Sequence, residues 1–268
     1  MSMHPARGRR LSLAAFAFPL FLLSAGCMGV GPLLGKATEE WTKTYPLAAG
    51  AEVRIDNVNG KVDIEGVDGS TVEVHAEKIA HATTDAAARE LLPRISIKED
   101  VTPARVSIST ERLSGVMIGA SFEVQYHVKV PKGAIVNAMT TNGGVTLSNL
   151  AGNVAARTTN GGVKGTDLAG AVEARTTNGG VVIDLVALGK DKVFLSTTNG
   201  GVTLTLPDTA KADVLATCTN GGISVTGLKL ETTEESRRRL EGKLNGGGTP
   251  IELHTTNGGI RVRARGPS

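Results

Sequence analysis

Aromatic side chains are nearly missing from this sequence: Phe, Trp and Tyr together make up 3% of its 268 residues. Any core must therefore be filled by Val, Ile, Leu, Ala and Thr. Cysteine is almost as scarce, with Cys27 and Cys218 alone. Once Cys27 is set aside as a modification site, no intramolecular disulfide framework remains. The longest apolar stretch, Leu11 to Leu23, falls short of the roughly 20 residues that a membrane-crossing helix needs. Surplus charge is missing too. The formal net charge is +3, but Arg7, Arg9 and Arg10 lie in the first 26 residues, where no acid occurs. Taking them from the 29 basic residues leaves 26 against 26 acidic ones, which removes the case for a nucleic-acid partner.

The apolar stretch follows those arginines and runs into Ser24-Ala25-Gly26-Cys27. A positive start, a short apolar segment and small residues mark a secretory signal. The run ending in Cys is similar to a bacterial lipobox, which implies cleavage after residue 26, lipidation of Cys27 and anchoring to a membrane. By the same analogy Met28, in place of Asp, implies the outer membrane. Residues 27–40 are expected to be a tether, and residues 41–264 a repeat domain.

What the chain has in abundance is one motif. Thr140-Thr141-Asn142-Gly143-Gly144 recurs with its Asn at Asn160, Asn178, Asn199, Asn220 and Asn257, at intervals of 18, 18, 21, 21 and 37 residues. A diverged copy surrounds Asn59-Gly60. Fixed short periods mean one supersecondary unit copied and stacked. Around each Asn the chain alternates with period two: Val136, Ala138 and Thr140 before the turn, Val145 and Leu147 after it, with Val172, Ala174, Thr176, Val181 and Ile183 repeating the scheme. Such alternation marks half-buried strands.

Asn-Gly between strands is a hairpin signal, so an antiparallel meander or sandwich is one architecture. The identical letters at identical positions favour the other: an all-β, parallel β-solenoid similar to a single-stranded β-helix. In it the seven Asn residues form a ladder at the turns, and Leu150-Ala151-Gly152 and Leu168-Ala169-Gly170 form the opposite corner. Two short helices are expected as insertions, at His81 to Leu92 with Thr84 as N-cap, and at Glu234 to Lys243 with a Thr232/Glu235 capping box.

Trp41-Thr42-Lys43-Thr44-Tyr45-Pro46, the strand Val124 to Pro131, Leu206-Pro207 and the closing Asn-Gly-Gly copy resemble the bacterial putative-adhesin β-strand-repeat family, a domain of unknown function. The resemblance spans about residues 41–264. It implies an envelope-anchored protein without catalytic residues.

The residues themselves point the same way. Glu173, Asp184, Glu123 and Asp63 are scattered over different copies, and no Asp-x-Asp occurs. His75, His81, His127 and His254 share no ligand-like spacing, so no metal or cofactor is expected. Cys218 replaces an inward Thr and is expected in the core. Thr141, Thr159, Thr177, Thr198, Thr219 and Thr256 face outward. Arg157 and Arg175 share an outward column and are the candidate ligand face for a carboxylate or phosphate. Arg261, Arg263 and Arg265 alternate on another. The expected function is a non-enzymatic, envelope-anchored interaction or structural module with a glycan or envelope protein as partner. The alternatives are a polysaccharide-processing enzyme and an envelope-stress regulatory partner.

Overall fold

A computed structural model describes residues 34–111 and 119–266. The signal segment, Cys27 and the start of the expected tether lie outside the described residues. In chain order the strands are β1 (Gly35–Pro46), β2 (Glu52–Asp56), β3 (Val62–Val67), β4 (Thr71–Ala82), β5 (Ile97–Thr102), β6 (Arg105–Thr110), β7 (Ala120–Pro131), β8 (Ile135–Asn142), β9 (Val145–Ser148) and β10 (Val154–Asn160). They continue as β11 (Val163–Asn178), β12 (Val181–Asn199), β13 (Val202–Leu206), β14 (Ala212–Asn220), β15 (Ile223–Thr226), β16 (Leu230–Glu235), β17 (Arg239–Leu244), β18 (Thr249–Asn257) and β19 (Ile260–Ala264). One α-helix, α1 (Asp85–Leu91), followed by a single 3₁₀ turn at Leu92–Arg94, interrupts them. Residues 35–40, expected in the tether, are part of β1 and pair with β4.

Two findings correct the expected parallel β-solenoid with two helical insertions. First, the sheet is mixed. β1 pairs with β4, β4 with β7, β5 with β6, β14 with β17 and β16 with β17, all antiparallel. Nor is the fold an antiparallel meander or sandwich, because copy pairs with copy in parallel, with Asn142, Asn160 and Asn178 in register. Second, α1 is the one α-helix among the described residues. It starts as expected at Thr84, whose hydroxyl accepts from the Ala87 N–H at 3.2 Å. The segment 234–243 is instead the hairpin β16–β17. Leu240 and Leu244 are four apart, a spacing that lies on one face of a helix and of a strand alike. The strand wins because Leu240, Gly242 and Leu244 all face inward, and a glycine inside a helix costs about 1 kcal/mol.

The copies also do not stack in chain order. β18 lies between β12 and β14, and β19 between β13 and β15. The Asn257 copy is thus inserted between those of Asn199 and Asn220.

Inward positions of both strand runs share one apolar core. Val172, Ala174, Val181 and Ile183 are fully buried, each larger side chain contributing about 1.5–3 kcal/mol by burial. Leu150, Leu168 and Leu185 fill the corner opposite the Asn turns. Cys218 lies in the core, as a free thiol.

The turns explain the invariant letters. The side-chain amides form one unidirectional chain in which Asn142 donates to Asn59, Asn160 to Asn142, Asn178 to Asn160, Asn199 to Asn178, Asn257 to Asn199 and Asn220 to Asn257, at 2.7–2.9 Å. Beneath it the inward hydroxyls of Thr140, Thr158, Thr176, Thr197 and Thr255 donate to the glycine carbonyl of the adjoining copy. Glycine is required there by close approach: a Cβ on Gly179 would stand 2.1 Å from the Gly161 carbonyl oxygen. Asn57 takes the threonine place in the diverged copy, its amide donating to the carbonyls of Asn59, Gly60 and Val124.

Candidate functional site

Because neighbouring strands are in register, outward side chains line up in rows that cross the sheet. On the face carrying the strands before each Asn, one row reads Asp56, Met139, Arg157, Arg175, Ser196, His254 and Thr217. Arg157 and Arg175 are therefore direct neighbours. Both reach the same carboxylate oxygen of Glu173, at 2.6 and 2.7 Å. Burial alone would raise the Glu173 pKa, but the hydrogen bonds and charges of the two guanidinium groups outweigh it and hold the carboxyl below its ordinary value. The guanidinium of Arg175 also stacks 4.1 Å over the Phe194 ring, and the His254 ring lies tilted against the same ring, centroids 5.5 Å apart. His254 is fixed by the Thr217 hydroxyl on Nδ1 at 2.6 Å. Glu252 takes an ion pair from Lys192 at 2.6 Å. Both arginines remain half-exposed, with one unit of positive charge left over from Glu173.

On the other face a longer row crosses ten strands: Thr42, His75, His127, Asp63, Thr146, Lys164, Val182, Thr203, Arg261 and Ser224. Beside it run Glu73, Lys129, Glu65, Ser148 and Thr166. At the β1, β4, β7, β3 and β9 end the two rows line a groove of about 400 Å³, within the range of about 300–1,000 Å³ usual for ligand sites. Its walls hold the hydroxyls of Thr42, Thr146 and Ser148, the carboxylates of Asp63, Glu65 and Glu73, Lys129 and two imidazoles.

The remaining expected residues are dispersed. Asp184 pairs with Arg265 at 3.2 Å, Glu123 accepts from Gln125 at 3.1 Å, and Arg263 donates to Thr205 at 3.0 Å. Thr159, Thr177, Thr198, Thr219 and Thr256 stand exposed beside the amide chain. Among the described residues no three His, Cys, Asp or Glu side chains converge as a metal cluster, and no helix is long and apolar enough to cross a membrane. What spacing in the sequence did not reveal is the meeting of His75 with His127, which are brought together by the antiparallel β4–β7 pairing. The one signal was that each occupies a polar position of an alternating strand.

The sequence matches the Toastrack DUF4097 family over residues 94–263. The chain belongs to that family. Solved structures resembling the Toastrack chain include a putative cell adhesion protein from Clostridium sporogenes, 13% identical, with a TM-score of 0.49 over 85% of this chain and 100% of that one. A putative adhesin from Bacteroides fragilis is 12% identical, with a TM-score of 0.35 over 85% and 97% of the two chains. A putative lipid binding protein from Parabacteroides distasonis is 8% identical, with a TM-score of 0.23 over 87% and 97%. No curated protein matches this Toastrack sequence.

Proposed function

We propose that this Toastrack protein is a non-enzymatic interaction module of the bacterial envelope, anchored through a lipid on Cys27 and carrying its binding groups on the flat outer rows of the sheet. The observation that supports this most directly is the ten-strand row, in which hydroxyl, imidazole and charged groups, interrupted by Val182 alone, recur at the interstrand spacing of about 4.8 Å. Such a row offers an extended polymer many weak, evenly spaced hydrogen bonds. The amide chain and the threonine–glycine bonds hold it rigid, so little order has to be imposed on binding. The half-exposed Arg157 and Arg175 add a place for a carboxylate or phosphate on the partner. An envelope glycan fits these rows.

The test is binding to an array of envelope glycans. Retention that drops when Arg157 and Arg175 are changed to Ala supports the arginine face, and unchanged retention removes those residues from it. New reducing ends or unsaturated products after incubation with the same glycans would overturn the non-enzymatic reading. Mass spectrometry of the membrane-extracted protein checks the anchor, with an acylated Cys27 expected and a free Cys27 thiol refuting it. Protease shaving of intact cells tests for an outward-facing domain, which an untouched protein would contradict.

A further inference from the structure

We propose that His75 and His127 form a two-imidazole site for a divalent d-block metal ion, Zn²⁺ or Cu²⁺, on the outer face of the sheet. The two residues are directly opposed across the antiparallel β4–β7 pair, with ring centroids 6.4 Å apart and planes inclined by 30°. Each ring is held from its far side. The Thr42 hydroxyl meets Nδ1 of His75 at 3.0 Å, and Asp63 lies 3.4 Å from Nδ1 of His127, itself held by Lys61 at 3.1 Å. Because the row runs Thr42, His75, His127, Asp63, both Nδ1 atoms are engaged outward. The Nε2 atoms carry no hydrogen bond among the described residues.

An imidazole that donates its Nδ1–H to a carboxylate or hydroxyl oxygen presents an unprotonated Nε2 as the oriented ligand, the arrangement that outer partners impose on metal-bound histidines, and the Thr42 oxygen beside His75 and the Asp63 carboxylate beside His127 are both able to accept that proton. Directly opposed residues have Cβ atoms about 4.5–5.5 Å apart, and one ion at about 2.0–2.1 Å from each nitrogen requires both rings to rotate toward each other from their 6.4 Å centroid separation. Nitrogen donors select Zn²⁺ or Cu²⁺ over Mg²⁺ and Ca²⁺. The carboxylates of Asp63, Glu65 and Glu73 outnumber the ammonium groups beside them, Lys129 in the same groove and Lys61 on Asp63, and leave a net negative charge there. With two protein ligands the ion keeps open positions for water or for an oxygen of a bound polymer. The proposal therefore deepens the binding-face reading by giving that face a metal.

The experiment is calorimetric titration of the full chain, prepared without a polyhistidine tag, with ZnCl₂, together with electron paramagnetic resonance of added Cu²⁺. One saturable site with nitrogen hyperfine structure is expected, lost in His75→Ala and in His127→Ala. In Asp63→Asn, affinity should fall about 10–100-fold. Both histidines are outside the core, and His127→Asn serves where the alanine variant loses its far-UV circular dichroism. No saturable uptake, uptake indifferent to both histidine substitutions, or Ca²⁺ bound as well as Zn²⁺ would overturn the proposal. Metal uptake is read with no polymer present, so a negative glycan array does not affect it.

Discussion

Replacing Thr176 with Val isolates the bond that links one copy to the next. The Thr176 hydroxyl donates to the Gly161 carbonyl at 2.7 Å, and among the described residues no backbone N–H is bonded to that oxygen. Valine matches threonine in shape, so the change removes the donor and leaves the half-buried Gly161 acceptor without that partner, at a cost toward the lower end of about 1–3 kcal/mol. The methyl that takes the hydroxyl's place recovers up to about 0.8 kcal/mol through burial. The net expectation is a loss of about 0.5–2 kcal/mol, and for a domain of this size each kcal/mol moves Tm by about 2–4 °C. Urea unfolding followed by far-UV circular dichroism should show the midpoint falling with the slope unchanged. Thr176→Ser keeps the donor and should lose less. Thr177→Val, at an exposed position, should stay within about 0.5 kcal/mol. A Thr176→Val loss no larger than that of Thr177→Val would refute the claim that the inward hydroxyls tie the copies together.

Cys218 occupies the inward threonine place without a threonine's hydroxyl, so Cys218→Thr should raise stability by about 1 kcal/mol, read as a higher urea midpoint. Gly179→Ala would put a Cβ 2.1 Å from the Gly161 oxygen and should cost about 3 kcal/mol, read in the same assay. Glu173→Gln should change stability by less than about 1 kcal/mol, yet increase retention on an anionic polysaccharide column by releasing Arg157 and Arg175 from their shared carboxylate. Burial of the Tyr126 phenol, hydrogen-bonded to Thr110 at 2.7 Å, pushes its pKa up to about 12. Its unfolded value is about 10, so the folded state favours the protonated form. That contribution is whole below about pH 10 and is lost as pH rises toward about 12. Alkaline titration of stability should show the fall, and Tyr126→Phe should reduce it, the remainder coming from the Tyr45 phenol, which burial and its bond to Glu99 also raise.

The local grammar of this chain was open to reading from its letters. Val136, Ala138 and Thr140 alternate inward as period two requires, and the repeated Asn and Gly stand where amide chains and close turns demand them. Three features were hidden, each for a physical reason. Identical copies satisfy one another equally well in register, so nothing in the Asn220 and Asn257 motifs states which lies next to Asn199. Leu240 and Leu244 satisfy two periodicities, and only the inward Gly242 separates them. His75 and His127 meet through the pairing of two long strands that are separated in the chain by α1, β5 and β6, so their register is set by the whole pairing and is invisible at either residue.

The seating of β18 and β19 between older neighbours has a consequence for assembly. Until residues 249–264 have been synthesised, β14 and β15 lack the parallel strands on which they rest, and the exposed sides of β12 and β13 stay vacant. A chain cut short before Thr249 therefore loses an internal tier and parts β14 and β15 from the rest of the stack, leaving two unsatisfied edges for proteases or stray strands to find.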